Sequence, residues 1–291
     1  MKQQFIEKRF NKKSAEIIEQ ANEIISEYRK QQLILTIRQL YYQFVGRGLL
    51  DNTQANYKRI VNIINDARLA GLVDWLAIED RTRNVESVST WDNPASIVES
   101  CVDCYRTDKW LNQEFHVEVW IEKEALTGVI AQICRQVEVP YFACRGYVSQ
   151  SEMYASAQRL ARLDKPVIVL HLGDHDPSGI DMTRDNDDRL ALLSNSANIT
   201  VKRIALNMNQ IKKYSPPPNP TKLTDSRAIG YLAEFGKSSW ELDALSPTVI
   251  RNLIKREVEI YRDIEVWEED VAAQERDRES LTEALETLRG S

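Results

Sequence analysis

The segment 166-PVIVLHLGDHDPSGIDM-182 decides the predicted fold class of this chain. An apolar run rich in strand-forming residues ends at Gly173, and Asp174 and Asp176 follow before Pro177 turns the chain. In open parallel sheets, functional side chains gather beyond the carboxyl ends of the strands. Two aspartates this close repel each other unless a cation lies between them, and such hard oxygen ligands suit Mg²⁺ or Mn²⁺. The segment therefore predicts an α/β fold with a metal site at this sheet edge.

A second predicted strand also ends in a carboxylate. The run 116-HVEVWI-121 is followed directly by Glu122, Lys123 and Glu124. Because the strands of a parallel sheet end at one edge, we expect Glu122 to meet the two aspartates there. A lone D-x-D pair in a Gly/Pro turn more often caps a helix, but the third carboxylate favours a metal site over that alternative. Mg²⁺ held in this way would assist phosphate chemistry by neutralising phosphate oxygens and stabilising a leaving oxygen.

The chain around these motifs alternates between strand and helix patterns over residues 112–215. This rhythm predicts a parallel sheet that is covered by helices. The proline-rich run 216–220 marks an extended connector, and the acidic stretch from about Val249 onward is predicted to be helical. Strands are predicted at 116–121, 139–146, 166–172 and 199–206, with helices near 126–133, 152–163 and 184–193.

Residues 1–90 are predicted to be mainly helical. Residues 1–32 have a narrow apolar stripe that is typical of one long polar helix. Residues 35–71 have the rhythm of a helix-turn-helix, in which Thr36 caps the first helix and Asn52-Thr53 caps the second. Residues 72–83 are expected to form the β-wing of a winged helix. The apolar stripe consists of Ile17, Ile18, Ala21, Ile24 and Ile25.

Four segments follow from these patterns. They are an N-terminal helix over 1–32, a winged-helix DNA-binding domain over 33–110, a metal-binding α/β domain over 111–215, and a helical extension of that domain over 216–291. A chain of 291 residues is long enough to bury a full core in such an arrangement.

Composition and charge limit the class of protein. The chain is 43% hydrophobic and 28% charged, which is ordinary for a globular protein and argues against wholesale disorder. No apolar run approaches membrane-spanning length, and the N-terminus lacks the apolar core of a signal peptide, so we expect a cytoplasmic protein without membrane contact. The net charge of −6 excludes a globally basic nucleic-acid binder. Residues 1–90, however, hold 14 Lys and Arg against 11 Asp and Glu, so DNA contacts are expected in that half.

The two acidic motifs together resemble a Toprim domain, a Rossmann-like metal-binding module of topoisomerases, primases and some nucleases. The resemblance rests on Glu122-Lys123-Glu124-Ala125 after one strand and Asp174-x-Asp176-Pro177-x-Gly179 after another. With 145-RGY-147 between them, the chain is similar to the A subunit of topoisomerase VI and to its relative, the meiotic double-strand-break protein. In that family a winged-helix domain of the CAP type precedes the Toprim domain, in the order predicted here.

A tyrosine pair in the N-terminal half extends this resemblance. Arg38-Gln39-Leu40-Tyr41-Tyr42 is similar to the family's tyrosine motif, and Arg38 lies one helical turn before Tyr42. The resemblance implies that Tyr42 is a nucleophile that attacks a phosphodiester, while Arg38 grips the phosphate. It also implies that Glu122, Asp174 and Asp176 are metal ligands, with Glu122 also moving a proton. Without the resemblance, two tyrosines on an amphipathic helix are more often core residues.

The resemblance implies the partners as well. In the family, the tyrosine of one protomer works with the metal site of the other, so we expect a homodimer that cuts both strands of double-stranded DNA. The chain has no G-x-x-x-x-G-K-[ST] loop, so strand passage would need a separate ATPase subunit. The expected DNA contacts are Lys58, Arg59, Arg68, Arg81, Arg83 and Arg145.

Two alternatives remain open at this point. The first is a hydrolytic Toprim endonuclease, as in plasmid-defence systems of the condensin type, in which a metal-activated water replaces the tyrosine. The second is a DNA-binding regulator that has no catalytic activity. The complete set of Glu122, Asp174 and Asp176 argues against the second alternative.

Overall fold

The computed structural model describes residues 2–30, 33–78, 88–195 and 198–290. A group of N-terminal helices precedes a parallel sheet between two helical layers, and further helices follow, so the α/β prediction is confirmed. The helices are α1 (Lys12–Lys30), α2 (Ile37–Gly46), α3 (Gln54–Leu69), α4 (Pro94–Cys104), α5 (Thr127–Gln136), α6 (Gln150–Leu160), α7 (Pro177–Ser194), α8 (Met208–Tyr214), α9 (Ala228–Phe235), α10 (Pro247–Glu259) and α11 (Ile264–Gly290). The strands are β1 (His116–Ile121), β2 (Tyr141–Ala143), β3 (Val167–Leu172), β4 (Ile199–Ala205), β5 (Asn219–Pro220) and β6 (Ser238–Ser239).

The central sheet positions the two acidic motifs. Its four strands are parallel and lie in the order β2-β1-β3-β4. β1 and β3 are neighbours, and Ile121 pairs with Leu172 where the two strands end. The predicted parallel sheet is therefore confirmed, and both acidic motifs leave it at the same edge.

Helices cover both faces of this sheet. On one face, Val119, Ile121 and Leu170 pack in a core with residues of α5 and α10. On the other, Trp120 and Val169 pack in a core with residues of α6 and α7. All six residues of β3 are buried, because both of its faces are covered. This explains why β3 has a continuous apolar sequence rather than an alternating one.

One buried carboxylate in β1 is part of the sheet core. Glu118 is 1% exposed and accepts hydrogen bonds from Arg159 and from the Trp120 indole, the latter at 3.1 Å. His116 lies 3.0 Å from the same carboxylate. Burial alone raises the pKa of Glu118, but these hydrogen bonds outweigh that effect and lower the pKa to about 2. Glu118 therefore remains ionised and fastens α6 to the sheet.

The N-terminal helices follow local sequence signals closely. The predicted stripe of α1 is buried, Thr36 caps α2, and Thr53 caps α3. The prediction of one helix from residue 1 to 32 is wrong at its start, because α1 begins at Lys12. Residues 2–11 form no helix or strand, and Gln4 makes an isolated β-bridge with Ala70. Pairing with a distant segment prevents this polar stretch from being helical.

The predicted β-wing is not confirmed. In the described part of 72–83, residues Trp75–Ala77 form a 3₁₀ helix that Asp74 caps, rather than a strand. Ile78 makes a single bridge with Leu35. The remainder of the predicted wing, with Arg81 and Arg83, lies outside the described residues.

The segment 216–291 completes the main core rather than forming a separate unit. Leu242, Ile250 and Ile254 are fully buried in the core that covers the α5 face of the sheet. The proline-rich connector contributes β5, which pairs antiparallel with β6. Among the described helices, none is long and apolar enough to cross a membrane.

Candidate metal and tyrosine site at the sheet edge

The ends of β1 and β3 bring the predicted carboxylates together. The Glu122 amide donates to the Leu172 carbonyl at 2.9 Å, which continues the strand pairing past the end of β1. The Glu122 carboxylate in turn accepts a hydrogen bond from the Asp174 amide at 2.7 Å. Two motifs that are distant in sequence therefore meet at one place, as their strand positions predicted.

The D-x-D loop turns directly into α7. Asp176 is the N-cap of this helix, and its carboxylate accepts from the Gly179 amide at 2.7 Å and from the Ser178 hydroxyl at 3.1 Å. The Gly179 backbone lies so close to the Asp174 carbonyl that a β-carbon would clash with it. The motif therefore requires glycine at this position because the two backbones pack closely. The φ of Gly179 is not in the left-handed region, so backbone conformation is not the reason.

A buried arginine holds the same loop from β4. The Arg203 guanidinium donates to the carbonyls of Gly173, Asp174 and Gly179 at 3.0, 2.6 and 2.8 Å. Burial lowers the pKa of Arg203 to about 10, although the nearby carboxylates act in the opposite direction. Sequence patterns did not identify this residue, because an arginine in a strand gives no indication of the loop that it contacts.

Lys123 lies at the centre of the acidic site. Its ammonium is 2.9 Å from Asp174, 2.9 Å from Glu241 and 3.1 Å from Asp243, each distance being measured to a carboxylate oxygen. Burial alone lowers the pKa of Lys123, but the three carboxylates raise it well above its ordinary value. The lysine is therefore a permanently charged part of the site.

Glu241 and Asp243 reach the site from the segment between β6 and α10. Asp243 is 2% exposed, and the Leu242 amide between the two residues donates to Asp174 at 2.8 Å. Burial alone raises the pKa of Glu241, but Lys123 and other partners lower it to about 2. No sequence pattern places Glu241 beside Lys123.

Arg38 connects α2 to these carboxylates. Its guanidinium is 2.6 Å from Glu241 and 2.8 Å from Asp243. It also lies 5.8 Å from the centre of the Tyr42 ring, as expected for residues one turn apart. Arg38 is thus paired with carboxylates in this structure, and a phosphate would have to compete with them for the guanidinium.

The two tyrosines of the motif have different surroundings. Tyr42 is 5% exposed, and its hydroxyl interacts with the Glu241 carboxylate. Burial, followed by the charges of Asp243 and Glu241, raises the pKa of Tyr42 well above its ordinary value. The Tyr41 hydroxyl instead accepts from the Thr53 amide at 2.9 Å and lies 3.1 Å from the Thr53 carbonyl. Tyr41 therefore holds the start of α3.

A cleft of about 620 Å³ opens between the N-terminal helices and the sheet edge. We call this the main cleft. Its lining includes Arg38, Tyr42, Lys123, Asp174, Asp176 and Glu241. A smaller cleft of about 340 Å³ lies beside it and is lined by Glu122, Arg145 and Asp243, and also by Arg38 and Lys123. Lys123 and Arg38 thus border both clefts. Glu122 lines the smaller cleft, whereas Asp174 and Asp176 line the main cleft.

The carboxylates of the site fit a hard divalent cation in their chemistry and adjacency. Burial is the main effect that raises the pKa of Asp174 to about 7, and the charge of Glu122 acts in the same direction. Burial also raises the pKa of Glu122. These anions thus lack full compensation, which Mg²⁺ or Mn²⁺ would supply. Within the described ranges, no group of three His, Cys, Asp or Glu side chains is already arranged around a metal position. Each carboxylate has an internal partner that a metal would replace.

The predicted DNA contacts fall into four groups. Lys58 and Arg59 are exposed on α3. Arg68 is half-buried, stacks on the Trp75 ring at 4.6 Å and donates to the Trp75 carbonyl at 3.0 Å, so its guanidinium is committed within the protein. Arg145 is exposed, has a left-handed backbone and pairs with Glu124 at the smaller cleft. Arg81 and Arg83 lie outside the described residues.

Comparisons with known proteins leave the family open. No model of a known protein family matches this chain. No curated protein is similar enough to it to count as a match. The site itself is therefore the basis for inferring the function.

Proposed function

We propose that the protein is a Mg²⁺-dependent DNA-cleaving enzyme of the Toprim type, similar to the A subunit of topoisomerase VI. In this proposal Tyr42 is the nucleophile, Arg38 holds the scissile phosphate, and Glu122, Asp174 and Asp176 hold the metal. Bound there, Mg²⁺ or Mn²⁺ would neutralise phosphate oxygens and stabilise the leaving oxygen.

The main support is the lining of one cleft. Tyr42 and Arg38 come from α2, whereas Asp174 and Asp176 follow β3, and all four line the main cleft. A nucleophile, a guanidinium and metal-type carboxylates are the parts that a phosphoryl-transfer site needs.

Arg38, Tyr42 and the basic residues of α3 have separate roles in this proposal. The Arg38 guanidinium would leave Glu241 and Asp243 to bind a phosphate oxygen through its planar fork. The Tyr42 hydroxyl would pass its proton to the neighbouring Glu241 carboxylate as its oxygen attacks phosphorus. The bond from phosphorus to the 3′ oxygen would break, that oxygen would take up a proton and leave as a 3′ hydroxyl, and the 5′ end would stay linked to Tyr42. Lys58 and Arg59, exposed on α3, would contact the backbone of double-stranded DNA.

Two copies of the chain would cut opposite strands in this proposal. The topoisomerase VI family pairs the tyrosine of one protomer with the metal site of the other. The main cleft instead contains Tyr42 and Asp174 of a single chain, which favours a site formed within each chain. Mixed dimers of Tyr42→Phe and Asp174→Ala chains separate the two arrangements, because only a site shared between chains recovers cleavage.

The test of the proposal is Tyr42→Phe, which keeps the ring and removes the hydroxyl. We expect the variant to fold and to bind DNA, but to give no broken strands and no protein-linked ends with Mg²⁺ or Mn²⁺. The matched control is Tyr57→Phe, since Tyr57 also lines the main cleft, and it should cleave like the parent. Cleavage by Tyr42→Phe at the parental rate would refute the nucleophile assignment.

A hydrolytic Toprim nuclease is the second candidate, and one observation favours it. Tyr42 is 5% exposed, and burial together with the nearby Asp243 and Glu241 raises its pKa, so its oxygen is less available than that of a free tyrosine. In a nuclease, a water activated at Glu122, Asp174 and Asp176 would attack instead. Cleavage that needs these acids and leaves no covalent protein–DNA product would establish this alternative.

A further inference from the structure

Five carboxylates and three basic side chains meet at the sheet edge. The carboxylates are Glu122, Asp174, Asp176, Glu241 and Asp243, and the basic residues are Arg38, Lys123 and Arg203. Arg38 and Lys123 pair directly with carboxylates. Arg203 lies below the D-x-D loop and interacts electrostatically with Glu122, Asp174 and Asp176. With every group ionised, the site carries two net negative charges, which one divalent cation would neutralise.

The Lys123 ammonium is surrounded by carboxylate oxygens, as a bound metal cation would be. Its ammonium contacts three carboxylate oxygens from two different segments at 2.9, 2.9 and 3.1 Å. Asp174 belongs both to this set and to the predicted metal ligands, so it joins the two positions. In two-metal sites the two cations lie about 3.5–4 Å apart and act on the same phosphate. Lys123 is thus a cation held directly beside the predicted metal ligands.

We propose that the Lys123 ammonium fills the second cation position of this site, so that the protein binds a single divalent cation. The inference rests on the metal site of the proposed function, in which Glu122, Asp174 and Asp176 hold that cation. Lys123 borders both clefts, so its positive charge lies where a phosphate would approach, and one of its three N–H groups would exchange a carboxylate for a phosphate oxygen. A covalently attached charge would there do part of the work that a second metal ion does in two-metal enzymes.

The experiment is a titration of the full-length chain with Mn²⁺ alone, followed by calorimetry and by electron paramagnetic resonance. The parent should bind one Mn²⁺ per chain. Lys123→Met should bind two, with the spectrum of a coupled pair, because the freed carboxylates of Asp174, Glu241 and Asp243 accept the second ion. Lys123→Arg keeps the charge and should stay at one.

Two controls separate this effect from a general change in charge. Lys222 is exposed and also lines the main cleft, so Lys222→Met should stay at one Mn²⁺. Adding Glu241→Gln and Asp243→Asn to Lys123→Met should return the stoichiometry to one. Circular dichroism with and without Mn²⁺ checks that each variant is folded, and Lys123→Gln replaces Lys123→Met if the latter is not.

The outcomes distinguish this inference from the proposed function. Two Mn²⁺ ions in the parent, or only one in every folded variant that lacks the Lys123 charge, would overturn the inference and leave the metal-dependent function standing. No Mn²⁺ in the parent but one in Lys123→Met would refute the metal part of the function and, with it, the inference of a single bound cation. No binding in either protein would refute both.

Discussion

Replacing Gly179 with alanine tests how the D-x-D-P-x-G motif shapes the site. An added β-carbon would lie 2.9 Å from the Asp174 carbonyl carbon and closer still to its oxygen. Normal contact begins near 3.4 Å, so either α7 or the D-x-D loop must move. Such overpacking costs about 1–3 kcal/mol, and the weakened Asp176 cap adds about 1 kcal/mol. Alanine regains at most about 1 kcal/mol of helix propensity, so we expect a net loss of about 1–3 kcal/mol.

The assay is urea unfolding of the full chain, with the free energy of unfolding obtained by linear extrapolation. Gly230→Ala is the matched control, because Gly230 is also helical and a β-carbon there meets nothing within 4 Å. That control should gain about 0.5–1 kcal/mol. The Gly179 variant should also bind Mn²⁺ more weakly, since the Asp174 backbone must move. Equal gains in stability for both variants would show that the described contact with Asp174 is wrong.

Three further predictions concern stability. Glu118→Gln should lose about 3 kcal/mol at pH 7, because the folded-state pKa of Glu118 is lowered from 4.5 to about 2. A lowered pKa stabilises the fold above the unfolded pKa, so the difference should shrink between pH 4.5 and 2 in urea unfolding, and a constant difference contradicts this. Tyr41→Phe should lose about 1–2 kcal/mol in thermal unfolding, because its hydroxyl holds Thr53; an unchanged midpoint argues against that contact. Arg203→Met should lose about 3–5 kcal/mol, since several buried carbonyls lose their donor, and a loss below about 1 kcal/mol would contradict its role.

Local sequence signals predicted the elements of this fold well. The continuous apolar run of β3 indicated a strand that is buried on both faces, and the caps at Thr36 and Thr53 marked the starts of two helices. Such signals succeed because they depend on residues a few positions apart. The start of α1 and the 3₁₀ turn at Trp75–Ala77 were missed. At α1 the local conformation depends on pairing with a segment far away in the chain.

The candidate site was also predictable only in part from the sequence. Strand ends and residue types were enough to predict that Glu122 and Asp174 meet, and the hydrogen bond between them agrees. The roles of Lys123 and Glu241 could not be predicted, because an ion pair between them depends on how the segment after β6 packs against the sheet. The role of Arg203 could not be predicted either, since its hydrogen-bond partners are main-chain carbonyls, which every residue carries.

The sequence by itself determined the parallel α/β core and the edge at which its acidic motifs meet, because hydrophobic periodicity and strand direction are local properties. Only the tertiary structure decided what neutralises those acids. The pairing of Lys123 with three carboxylates and of Arg38 with two depends on distances of about 3 Å between segments far apart in the chain. Electrostatic energies change steeply over such distances, and sequence spacing does not specify them. In the folded chain, the acidic motifs therefore form a site in which Lys123 and Arg38 already balance part of the negative charge.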